Sequence, residues 1–91
     1  MLIVVSYGIR ETRRRTRLAH ALKDFGQRVQ LSVFECHLEE TQVEKLRERI
    51  TRFIDPDRDS VRLYRLCHGC AECLETLGTG VRTEDPNVYI Y

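Results

Sequence analysis

An α+β fold, in which an antiparallel sheet carries two helices on one face, is what this sequence predicts from three observations. The chain has 91 residues, enough for one core and too few for two. Short β-branched runs and two stretches of helical periodicity follow one another as strand, helix, strand, strand, helix, strand, the order of a ferredoxin-like βαββαβ sandwich. Hydrophobic residues make up 42% and charged residues 32%, which excludes the low-hydrophobicity regime of disordered chains. Residues 1–91 therefore read as a single ferredoxin-like domain, with about 79–91 a C-terminal segment for dimer or partner contacts.

The elements follow in order. Leu2-Ile3-Val4-Val5 is an apolar, β-branched run ending at Ser6, Tyr7 and Gly8, as expected for a central strand buried on both faces. From Thr12 the apolar positions Leu18, Ala19, Leu22 and Phe25 recur at helical spacing. The first helix is expected over about 12–25, with Thr12 as its cap and Gly26 at the left-handed C′ position. Val29 to His37 is β-prone around a polar Ser32, either one bent strand or, the preferred reading, two short strands about a tight turn at Leu31-Ser32. Thr41 to Ile54 places Val43, Leu46, Ile50 and Phe53 three and four apart, a second amphipathic helix that Asp55-Pro56-Asp57 terminates. Ser60 to Leu66 alternates Val61 and Leu63 with Arg62 and Arg65, a half-exposed strand. Cys67 to Gly80 reads as loop, and Val88 to Tyr91 as an extra, C-terminal strand.

Such a sandwich leaves one sheet face bare, so a two-fold homodimer packed sheet to sheet is expected. The longest apolar stretch, Met1 to Val5, is far too short for a bilayer, and nothing resembles a secretory leader. A cytoplasmic protein without membrane contacts is the expectation, and with it reduced thiols.

The formal net charge of +1 conceals an asymmetry. Residues 1–30 hold seven basic against two acidic positions, and residues 31–60 hold five against eight. Arg10, Arg13, Arg14, Arg15 and Arg17 fall within eight residues at the start of the first helix. A solvated helix face is the ordinary explanation of a charge run, but these arginines have only Glu11 among them. Guanidinium groups suit phosphate through paired, permanently charged donors, and a helix start adds free amides. The cluster therefore points to phosphate-backbone binding, with duplex DNA as the partner that a two-fold dimer fits best.

Two residues separate Cys67 from Cys70 and two separate Cys70 from Cys73, with His68 and His37 available. Zinc sites usually draw on two separated pairs of ligands, so unligated thiols are favoured over a metal-binding or redox module, and zinc is not expected. Cys36 reads as a small core residue. The first strand ends at Tyr7-Gly8 with no carboxylate for a hard cation, and no Ser, His and Asp arrangement suggests a nucleophile.

Tyr7-Gly8-Ile9, Arg13-Arg14-Arg15 and the run Gly26-Gln27-Arg28-Val29-Gln30-Leu31-Ser32-Val33-Phe34-Glu35-Cys36 resemble the CRISPR-associated protein two family, the small subunit of spacer acquisition. The resemblance implies a ferredoxin-like homodimer working with the CRISPR-associated integrase that inserts foreign DNA into the CRISPR array. It also implies a magnesium-dependent nuclease acting on RNA or duplex DNA in some members. The family pattern after the first strand is Tyr-Asp-Ile, its Asp from each subunit proposed to hold one magnesium at the dimer axis, and Gly8 stands there in this chain. By match to the family, Tyr7, Ser32 and Phe34 are candidate catalytic-site residues around the Gly8 position. Arg14, Arg15 and Arg28 match it too, so Arg28 joins Arg10, Arg13, Arg14, Arg15 and Arg17 as a candidate nucleic-acid contact. The favoured expectation is a non-catalytic DNA-binding scaffold bridging integrase subunits. The alternative is a magnesium-dependent endonuclease, which needs a substitute ligand such as Glu11.

Overall fold

A computed structural model of the chain describes residues 1–78. The 79–91 segment, with the strand expected at Val88–Tyr91, lies outside the described residues. Four strands, β1 (Leu2–Gly8), β2 (Gln27–Gln30), β3 (Val33–His37) and β4 (Ser60–Leu66), form one antiparallel sheet in the order β2-β3-β1-β4. Helices α1 (Thr12–Leu22) and α2 (Glu40–Phe53) supply the two crossovers, and a short helix α3 (His68–Glu72) follows β4. This is the expected ferredoxin-like sandwich.

Strand alternation decides which residues meet the helices. Ile3, Val5 and Tyr7 of β1 stand level with Cys36 and Phe34 of β3, and with Leu63 and Val61 of β4. Beneath them α1 contributes Leu18, Ala19 and Leu22, and α2 contributes Val43, Leu46 and Ile50, all in one buried cluster. Both helices therefore lie on one face. The opposite face carries Val4 and Ser6, which are only half-buried, so the first strand departs from the expectation of full burial on both sides. The Cys36 thiol is inside the core, and burial pushes its pKa up to about 12, with Glu35 adding to the effect.

The cap and the end of α1 differ from the sequence reading, each for a local reason. The cap of α1 is Glu11, not Thr12, and its carboxylate accepts from the backbone N–H of Arg14 at 2.6 Å, a favourable place for negative charge. The helix ends at Leu22 instead of Phe25 because the last bonds tighten. Lys23 N–H donates to His20, Asp24 to Ala21 and Phe25 to Leu22, the i→i−3 pattern of a closing turn. Phe25 still packs on the core, which is why the apolar period runs past the helix.

Gly26 is not left-handed. Among the described residues only Gly78 has a positive φ. A Cβ on Gly26 would instead sit 2.6 Å from the Cys36 Sγ and 2.8 Å from its Cα, and closer still to the Glu35 carbonyl oxygen. The glycine is there because the chain entering β2 runs against β3.

The Leu31-Ser32 turn separates β2 from β3 as preferred, with β2 starting earlier, at Gln27. Helix α2 starts behind Glu39, whose N–H donates to Gln42 Oε1 at 2.9 Å. It stops before Asp55, whose carbonyl accepts from Arg58 and Asp59. The stretch after Cys67 was expected to be loop throughout. It contains α3, whose single turn carries Ala71 N–H to the Cys67 carbonyl at 2.9 Å.

Candidate nucleic-acid interface

The carboxyl end of β1, the exposed flank of α1 and the β2–β3 turn enclose a groove of about 680 Å³. Tyr7, Gly8 and Ile9 line it from the strand, Leu31 and Ser32 from the turn, and Arg15, His20, Lys23 and Arg28 supply its basic groups. No aspartate or glutamate is among its lining residues. Cationic groups without a local counter-ion make a concave surface that concentrates anions.

The sequence-predicted residues divide by what they touch. Tyr7, Gly8 and Ser32 meet at the groove. Tyr7 is buried, donates its hydroxyl to the Leu31 carbonyl at 3.2 Å and its N–H to the Ser32 carbonyl at 3.0 Å, and so pins the turn to the strand end. Phe34 is fully buried beneath that turn. Its ring centre is 6.4 Å from that of Tyr7 and 5.5 Å from the Arg28 guanidinium carbon, a cation–π contact that holds Arg28 over the sheet.

The arginine cluster does not act as one patch. Arg14 forms a paired contact with Asp59, Nε to Oδ2 at 2.8 Å and Nη2 to Oδ1 at 3.0 Å. Arg15 donates to the carbonyls of Ile9 at 3.1 Å and Arg10 at 3.3 Å and to the Thr12 hydroxyl, closing the loop between β1 and α1. Arg10, Arg13 and Arg17 are exposed, and their side chains make no hydrogen bond or ion pair to other described residues. Arg13 and Arg17, one turn apart, continue the basic surface along α1.

Asp59 went unnoticed in the sequence. Its only signal there is its place in the acidic turn Asp55-Pro56-Asp57-Arg58-Asp59. Its side chain is fully covered and also accepts from the Asp55 N–H at 2.8 Å. The Arg14 guanidinium, and after it the Asp55 N–H, hold the Asp59 carboxyl below the usual carboxylate range despite its burial. A depressed carboxyl stabilises the fold fully above its unfolded pKa, about 3.9, and that contribution fades as pH falls through the lower folded value. Asp59→Asn is expected to lose stability at neutral pH and to flatten the acid limb below about pH 4. An unfolding series from neutral pH into acid checks this, and an unchanged acid limb would refute it. His20, which reads from the sequence as a surface or boundary residue, and Lys23 both line the groove, a role hidden in the sequence because a single basic residue on an amphipathic helix carries no signal until the turn opposite it is placed.

The family resemblance raises the question of whether these residues fit a magnesium ion. Gly8 offers no side chain, and the side chain facing it across the β1–β4 ladder is the Ser60 hydroxyl. The Glu11 carboxylate caps α1. Among the described residues no group of three or more His, Cys, Asp or Glu side chains is arranged to hold a metal ion. Hard divalent cations demand anionic oxygen ligands, and a groove lined by arginine, lysine and histidine does not fit one.

Fold and groove together define a class, the ferredoxin-like α+β proteins, here with a basic, carboxylate-free groove at the end of the first strand. The family described as CRISPR associated protein Cas2 matches residues 1–73. A CRISPR-associated endoribonuclease Cas2 of Chloroflexus aurantiacus is 41% identical, covering 99% of both chains. A CRISPR-associated endonuclease Cas2 of Thermus thermophilus is 46% identical over 87% of this chain and 83% of its own. Among solved structures, a hypothetical protein from Thermus thermophilus superposes with a TM-score of 0.79 at 43% identity, covering 88% of this chain and 93% of that one. Streptococcus pyogenes Cas2 gives 0.75 at 36% identity, covering 86% and 100%. The chain belongs to the Cas2 family of CRISPR-associated proteins.

Proposed function

We propose that this chain works as a cytoplasmic homodimeric scaffold in CRISPR spacer acquisition, bridging subunits of the CRISPR-associated integrase and holding incoming duplex DNA by its phosphates. The observation that carries this reading is the groove at the end of β1, where Arg15, Lys23 and Arg28 converge without a carboxylate. Phosphate neutralisation needs only such cations, whereas hydrolysis needs an activated nucleophile or a metal. The exposed Arg10, Arg13 and Arg17 lengthen the contact. The C-terminal segment from about residue 79 is assigned to dimer or integrase contacts in the same proposal.

The test is duplex affinity against salt. If six to ten phosphates are contacted, affinity falls by about 10³- to 10⁵-fold between about 50 and 200 mM salt. Replacing Lys23 or Arg28 by alanine is expected to lower the salt slope by about one each. A duplex affinity indifferent to salt would remove the proposal.

A second reading is supported by the relatives' names, endoribonuclease and endonuclease. It is a magnesium-dependent phosphodiesterase acting on single-stranded RNA or duplex DNA. Gly8 weighs against it, since that reading needs a ligand which the chain does not place at the strand end.

A further inference from the structure

The three exposed cysteines take no part in the groove. Cys67 precedes α3 in extended backbone, with φ −66° and ψ 169°, and Cys70 lies one turn further on. In that arrangement the residue before a helix turns its side chain towards the third residue inside it. Residues three apart on a helical turn have Cα atoms about 5 Å apart, within the range of about 4.4–6.8 Å that disulfides span. Cys73 is placed differently. It ends α3 in helical backbone, and its thiol donates to the Gly69 carbonyl at 3.5 Å. Six residues from Cys67 correspond to about 9 Å of helical rise, beyond disulfide reach.

The geometry points to Cys67 and Cys70 as a redox-active dithiol that closes to an intrachain disulfide by exchange with a low-molecular-weight disulfide, leaving Cys73 a free thiol. The two sulfurs are unequal. The N–H and thiol of Cys70 favour the Cys67 thiolate and lower its pKa, while the Cys70 thiol is raised in return. Cys67 is thus the attacking sulfur. Its thiolate attacks one sulfur of the small disulfide, forming a mixed disulfide and expelling one small thiolate. Cys70 then gives its proton to solvent and attacks the Cys67 sulfur, expelling the second. The protein loses two electrons and two protons, and the small disulfide becomes two thiols. The pair lies immediately after β4, so closure fixes the direction in which the chain leaves the edge of the sheet. This site is separate from the proposed DNA contacts and does not depend on them.

The test exposes the full-length protein to oxidised glutathione, blocks free thiols with an alkylating agent and maps the linkages by mass spectrometry. The parent chain and Cys73→Ser are expected to lose two hydrogens through a Cys67–Cys70 bond that reduced glutathione reopens. Cys70→Ser is expected to stop at a glutathione adduct on Cys67. Cys67→Ser is expected to form its adduct at Cys70 about tenfold more slowly. All three cysteines are exposed and outside the core, so the substitutions leave folding intact. The proposal is overturned by intermolecular bonds only, by linkage through Cys73 in equal or greater yield, or by equal adduct rates at positions 67 and 70.

Discussion

Gly26→Ala is expected to destabilise the domain by at least about 3 kcal/mol, the upper end of ordinary overpacking, or to leave it unfolded. The new methyl group would meet Cys36 Sγ at 2.6 Å and its Cα at 2.8 Å, with the Glu35 carbonyl nearer still. Two of those three neighbours are backbone atoms of β3, held in the ladders with β1 and β2, and cannot rotate away as a side-chain tip does. Relief requires β2 to peel from β3, carrying the Leu31-Ser32 turn with it. Chemical denaturation of the two proteins measures the loss. Equal stability would show that β2 is not pinned against β3, and the groove wall would then need another explanation.

The second large effect is expected at Gly8. Under the scaffold reading, the parent chain leaves labelled duplex DNA and single-stranded RNA intact with magnesium, with manganese or with chelator. Gly8→Asp is expected to acquire chelator-sensitive cleavage well above that background. The substitution fits the backbone, because Gly8 has no positive φ and its Cβ meets only the Ser60 hydroxyl, at 3.1 Å, a small group able to shift by a few tenths of an ångström. If the parent chain cleaves as well as Gly8→Asp, position 8 is not the centre of the reaction and the scaffold is also a nuclease. Cleavage by neither would place the scaffold role beyond the reach of this one carboxylate.

Much of this architecture is legible in the residues because its signals are local. Val43, Leu46 and Ile50 repeat at helical spacing on α2, and the β-branched run of β1 is bounded by Gly8. The boundary errors arise where two local signals disagree. Phe25 keeps the helical period while the hydrogen bonds change to i→i−3, and Gly26 resembles a left-handed cap when its real constraint is a neighbouring strand. Helix α3 is one turn long and has no apolar period to reveal it. From residue types alone the site is legible only as charge, while Tyr7, Gly8 and Ser32 come through the family resemblance. Which arginines are engaged and which are available depends on Asp59, 45 residues from Arg14 along the chain, and no local pattern carries that pairing.

Cys36 has a further use as a clock. It has no exposed surface, and with its pKa pushed up to about 12 very little of the reactive thiolate is present near neutral pH. A thiol reagent can modify it only during the moments when the sheet parts from the helices. The labelling rate, compared with that of the same thiol in denaturant, therefore counts opening events of the native protein and reports how often β1 and β3 separate from α1 and α2 through a residue the chain already carries.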